Sequence, residues 1–85
     1  MISFSPLALE HLTCWIKEDR KMALRILRLV TETEKNPFAG IGKPEPLKGD
    51  FKGYWSRRID GEHRLIYKTT SEALIIHSCF SYYNK

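Results

Sequence analysis

The chain predicts an α+β domain, helices first and strands after, on three observations. Apolar residues recur at three-to-four-residue spacing over the first third; Asn36-Pro37 breaks that pattern; and three strand-like runs separated by short polar turns fill the last third. Eighty-five residues hold one core, so residues 1–85 read as a single domain. Hydrophobic residues at 42% and charged residues at 28% fit a soluble globular chain and exclude the disordered and disulfide-dense classes.

The elements follow in order. Ile2, Ser3 and Phe4 form a brief strand, and Ser5-Pro6 supplies an N-cap and a first-turn proline for a helix. Ala8, Leu9, Leu12, Trp15 and Ile16 give that helix one apolar face, ending near residues 17–19. Asp19 caps a second helix with Met22, Ile26, Leu29, Val30 and Thr33 on its apolar face, widened by Leu24 and Leu27. Pro37 stops it, because the residue before a proline is pushed out of the α region. Helices so closely joined predict an αα-hairpin. Residues 37–53 carry three prolines and four glycines around Glu45 and Lys48, which reads as a long ordered loop of the kind that is usually functional. Strands are then expected over residues 54–59, 63–69 and 73–82.

The Asp60-Gly61 turn admits two registers. A two-residue loop opposes Arg57 to Arg64 and mixes apolar with polar positions. A three-residue loop including Glu62 instead opposes Ile59 to His63, Arg58 to Arg64, Ser56 to Ile66 and Tyr54 to Lys68. The second puts Trp55, Ile59, Leu65 and Tyr67 on one face and is preferred for that reason. His63 then falls on the apolar face and is read as a structural histidine; His77, within an apolar run, is read as structural too, and His11 as surface.

Charge is concentrated as well. The net +4 of the chain lies mostly in residues 43–68, where seven basic residues face four acidic ones. No apolar run approaches the roughly 18 residues of a membrane span, and the start lacks the pattern of a secretory signal; a cytoplasmic location is the expectation. Cys14 and Cys79 have no partner at metal-binding or redox spacing, so no metal or other cofactor is expected.

Two adjacent guanidiniums on an exposed face favour a negative occupant, and phosphate suits them. A carboxylate such as Glu45 beside those cations is suited to take a proton from a hydroxyl while the cations stabilise charge on phosphorus. In RNA the 2′-hydroxyl is an internal nucleophile. Tyr54, Phe80, Tyr82 and Tyr83 offer rings on which bases stack. The plainer reading stands beside this one: arginine-rich strands are mostly solvated, and Glu45 is equally a salt-bridge partner for Lys48 or Arg58.

The string from Asn36 through Gly42-Lys43-Pro44-Glu45-Pro46-Leu47-Lys48, followed by Tyr54-Trp55-Ser56-Arg57-Arg58-Ile59 and Glu62-His63-Arg64-Leu65-Ile66-Tyr67, resembles the Txe/YoeB family of toxins, within the RelE/ParE superfamily of toxin–antitoxin systems. The resemblance extends through nearly the whole chain. It implies a RelE-like fold, a two-helix hairpin packed on a twisted, mainly antiparallel four-stranded sheet, with mRNA on the face away from the helices. It implies a ribosome-dependent, metal-independent mRNA endonuclease that cuts in the decoding site and arrests translation. Under that resemblance Glu45 is the general base, Arg64 stabilises the transition state, Lys48 and Arg58 line the site, and Tyr83 is the carboxyl-end aromatic; Tyr54 joins them as an RNA-binding ring. Implied partners are a cognate antitoxin of the YefM/Axe kind, the ribosome with its mRNA, operator DNA only through the antitoxin, and a second copy of the chain, with no membrane.

One departure matters. The family usually ends its last strand in His-Tyr, the histidine acting as general acid, and here Tyr82 holds that position. A phenol with an ordinary pKa of about 10 keeps its proton at neutral pH and needs neighbouring cations to release it. A weakened toxin that only binds ribosome or antitoxin is therefore the competing expectation.

Overall fold

Both helices form where the apolar spacing places them. In the computed structural model, which describes residues 1–81, strand β1 (Ile2–Phe4) leads into α1 (Pro6–Glu18) and α2 (Arg20–Lys35). Ser5 caps α1 by accepting the Ala8 amide at 3.0 Å, and its hydroxyl donates to the His77 carbonyl at 2.7 Å, which ties the helix start to the sheet. Asp19 closes α1 with its amide and caps α2 with its carboxylate, accepting from Met22 at 3.2 Å. One residue serving both helices forces the hairpin.

Four further strands follow: β2 (Glu45–Pro46), β3 (Trp55–Arg58), β4 (Arg64–Thr69) and β5 (Leu74–Ser78), with a single 3₁₀ turn at Gly49–Phe51. The sheet order is β1-β5-β4-β3-β2, parallel between β1 and β5 and antiparallel elsewhere. The sheet thus has five strands where four were expected. The extra one is β2, a two-residue edge strand inside the segment read as loop; Pro46, which has no amide to donate, is tolerated there because it lies at the edge. The last strand also ends earlier than expected, at Ser78.

The core lies between helices and sheet. Ala8, Leu12, Met22, Ala23, Ile26, Leu29 and Val30 meet Ile59, Leu65, Tyr67, Leu74 and Ile76, with Phe4, Trp15 and Trp55 packed at its margin. Leu9, Ile16, Leu24 and Leu27, counted from spacing as part of the apolar faces, are exposed; the stripes the sheet covers are narrower than the helices' apolar arcs.

The preferred register is the one observed: Trp55 opposes Tyr67, Ser56 opposes Ile66, and Arg58 opposes Arg64. Asp-Gly does not make a two-residue turn because the Asp60 carboxylate takes the amides of Glu62 and His63, at 2.8 and 2.7 Å, and Gly61 does not adopt the positive φ such a turn requires. The Ile59 amide then reaches the His63 carbonyl at 2.9 Å. Burial of the Asp60 carboxyl pushes its pKa up, yet those two amides, with His63 and Arg25 nearby, outweigh it and hold the group below its usual range.

Candidate active site

Alternation along the strands sorts the basic residues onto two faces. Arg57 falls on the core side with Trp55 and Ile59 and is wholly buried. From sequence it enters only the net charge of residues 43–68; its position on the apolar face of the chosen register is the signal that places it inside. Its guanidinium donates to the carbonyls of Asn36, Ala39 (2.8 Å) and Ile41 (3.0 Å) and to the Tyr67 hydroxyl (3.2 Å). Tyr67 in turn donates to the Pro37 carbonyl at 2.6 Å, and burial raises its phenol pKa even against the opposing pull of Arg57. These bonds lash residues 36–41 to the sheet.

That loop delivers Glu45. The Gly42 carbonyl accepts the Arg58 amide at 2.6 Å, and Gly42 at φ +82° has almost no room for a side chain: a Cβ there would lie 3.2 Å from the Arg57 Cβ and the Arg58 carbonyl. Lys43 is also left-handed, at φ +49°. Pro44 follows, and Glu45 pairs with Ser56 in β2. The Leu47 amide, bonded to the Tyr54 carbonyl at 2.9 Å, extends the ladder beyond it.

Directly opposed residues share a face, so Glu45, Ser56 and Ile66 form one row across the sheet, and Arg58 and Arg64 form the neighbouring row two residues along. Glu45 and Arg58 are thus diagonal neighbours, about 7–8 Å apart by sheet geometry and within reach of long side chains. Among the described residues, no hydrogen bond or ion pair occupies the exposed Glu45 carboxylate. Arg58 is exposed, whereas the Arg64 guanidinium donates to the carbonyls of Asp60 (3.1 Å) and His63 (3.2 Å), so the turn orients it. Lys48 is exposed, three residues beyond Glu45 at the start of the 3₁₀ turn.

Tyr54 lies on the same face but is half-buried, its ring edge-on to Phe51 and His77 at 5.5 Å each. The Lys68 ammonium sits 5.0 Å from its centroid, adding a cation that the motif did not single out, although strand alternation places it on this face. Phe80, grouped with the base-stacking rings from sequence, packs instead on Trp15 and His63 toward the helices. Tyr82 and Tyr83 lie outside the described residues. The face therefore offers a carboxylate, two arginines, two lysines and a partly engaged tyrosine. No group of His, Cys, Asp or Glu among the described residues has the arrangement of a metal site.

The family model of a YoeB-like toxin of bacterial type II toxin–antitoxin systems matches residues 4–83. The chain is 52% identical over 75 residues to a toxin YoeB of Streptomyces coelicolor, spanning 88% of this chain and 89% of that one. Its fold superposes on a YoeB/ParE toxin from Agrobacterium tumefaciens with a TM-score of 0.91, at 39% identity over 96% and 98% of the two chains. Two Staphylococcus aureus structures, a YoeB dimer and a heterotetrameric YoeB–YefM toxin–antitoxin complex, are each 42% identical with TM-scores of 0.88; they cover 96% and 98% of this chain, and 95% and 97% of theirs.

Proposed function

Because the chain belongs to the YoeB-like toxin family of bacterial type II toxin–antitoxin systems, we propose that it is an endoribonuclease that cuts mRNA in the ribosomal decoding site. The observation that carries the reading is the placement of Glu45, an otherwise unengaged carboxylate among the described residues, on the sheet face of the Arg58–Arg64 pair. In this scheme Glu45 removes the proton from a ribose 2′-hydroxyl. The 2′-oxygen attacks the adjacent phosphorus and the 5′-oxygen leaves, giving a 2′,3′-cyclic phosphate. Arg64, oriented by the turn carbonyls, meets the charge that builds on the phosphoryl oxygens, while Arg58 and Lys48 hold the strand. Tyr54 provides a ring edge for a base, Tyr83 a second ring, and Tyr82 donates the proton to the leaving 5′-oxygen. Every step uses protein groups and the substrate's own hydroxyl.

The partners follow from the same membership. A YefM-like antitoxin with an acidic segment complements the basic face and neutralises it, operator DNA is met through that antitoxin, and self-association matches the dimer known for the S. aureus relative. Primer extension on mRNA from translating ribosomes tests the activity. New 5′ ends inside the decoding-site codon are expected with the wild type, and Glu45→Gln is expected to lower their rate by at least about a hundredfold. Undiminished cleavage by Glu45→Gln overturns the base assignment. The tyrosine at position 82 motivates a second reading, a toxin that only occupies the ribosome; it predicts ribosome binding with no new 5′ ends.

A further inference from the structure

Past Ser78 the chain leaves the regular ladder, and side chains take over most of the backbone polar groups of Cys79 and Ser81. The Cys79 amide donates to Nδ1 of His11 at 3.2 Å, and the Cys79 carbonyl accepts the Trp15 indole N–H at 2.9 Å. The Ser81 amide donates to Nδ1 of His63 at 2.6 Å, and the Ser81 carbonyl accepts the Arg64 amide at 3.2 Å. Between them the Phe80 ring packs on His63 (4.8 Å), Trp15 (5.4 Å) and His11 (5.7 Å), and Trp15 meets His63 edge-on at 4.9 Å. Ser81 itself has φ +62°, a left-handed conformation unfavourable for a residue with a Cβ, which persists where its surroundings over-determine it.

We infer that His63 is a positioning residue: by accepting the Ser81 amide it pins this kink, whose carbonyl accepts the Arg64 amide, and so fixes the strand end that carries the Arg64 guanidinium. The assignment rests on the nuclease reading above only in making Arg64 the group that benefits. The chemistry demands a particular imidazole. Nδ1 accepts only when unprotonated, so the ring is neutral with its proton on Nε2, and Nε2 lies 3.7 Å from the Glu62 carboxylate that would attract that proton. The ring is buried between Trp15 and Phe80, so it cannot swing away without opening that aromatic stack. His63 and Ser81 thereby hold the strand end that presents the Arg64 guanidinium.

Two measurements on the full chain decide this. In the wild type, ¹⁵N spectra should show the Nε2-protonated His63 tautomer and a coupling across the hydrogen bond between its Nδ1 and the Ser81 amide nitrogen. In ribosome-dependent cleavage, His63→Leu, which fills similar space without an acceptor, should lower kcat about ten- to a hundredfold with KM for ribosomes unchanged. His63→Asn, whose side-chain oxygen stands near the Nδ1 position, should recover most of that loss. The inference is overturned if the coupling is absent, if His63→Leu cleaves like the wild type, or if His63→Asn is as impaired as His63→Leu. The coupling is read on the wild type, so it decides even where His63→Leu does not fold. A wild type that makes no cuts refutes the nuclease reading, and the coupling alone then decides whether His63 holds the kink.

Discussion

Arg57→Lys should be among the most damaging conservative substitutions in this protein. The arginine is fully buried, and its four hydrogen bonds reach three carbonyls and a phenol; among the described residues no carboxylate meets it. A planar fork satisfies that spread of acceptors, whereas an ammonium has three N–H bonds on one nitrogen and reaches only one or two of them. Hydrogen bonds to a charged group contribute about 1.5–3 kcal/mol each, so losing two or three amounts to at least about 3 kcal/mol. Asn36, Ala39 and Ile41 are exposed residues whose carbonyls regain water, which holds the loss to about 3–4 kcal/mol. With an m-value of about 1–1.5 kcal/mol/M in urea, the midpoint falls by about 2–4 M. Urea unfolding followed by fluorescence of the two tryptophans reads this, and hydrogen exchange at residues 37–45 should accelerate. Arg57→Met, which removes the charge from the interior, should lose less global stability than lysine while releasing the same loop. If lysine is within about 1 kcal/mol of the wild type and the loop amides stay protected, the account of how Glu45 is held in place is wrong.

Gly42→Ala should lose about 2–3 kcal/mol, because its Cβ meets backbone and the Leu29 methyl at 3.3 Å or less in a left-handed conformation; a thermal melt measures it. His11 contributes a pH dependence. Burial, reinforced by His77 and opposed by Glu10, lowers its folded pKa below 6.5, so the unfolded chain protonates first on acidification. This stability is complete above pH 6.5 and is lost as pH falls through the depressed folded pKa; urea midpoints between pH 7.5 and 5 should show the decline, and His11→Asn should flatten it. Cys79 is buried with its thiol pushed up to about 12, while Cys14 is exposed, so thiol titration of the native protein should modify Cys14 and reach Cys79 only after unfolding.

Much of the candidate site's layout was legible because it depends on local pattern. The Glu45, Lys48, Arg58 and Arg64 positions stand in short motifs, and the Arg58–Arg64 pairing followed from demanding one apolar face across two adjacent strands. The acceptors of Arg57 are not legible, for the opposite reason: they are carbonyls 16 to 21 residues away, and composition carries no trace of where a distant backbone will turn. The same holds for β2, since a two-residue edge strand has no periodicity to detect and exists only because β3 lies alongside. The closing strand was drawn too long because an apolar run continues past Ser78, while His11, Trp15 and His63, remote in sequence, claim the backbone of the next residues.

The amino-acid order alone determined the helix starts and stops, the one-residue joint at Asp19, the buried face of the sheet and the family, since each rests on capping chemistry, side-chain spacing or a contiguous motif. Only the folded chain decided that Glu45 sits in the sheet and not in a loop, and which acceptors meet the Arg57 guanidinium on the inner face. The physical reason is common to both. Each outcome is a hydrogen-bond choice between groups far apart in sequence, and such choices are settled by which partners the packed helices and strands bring within about 3 Å.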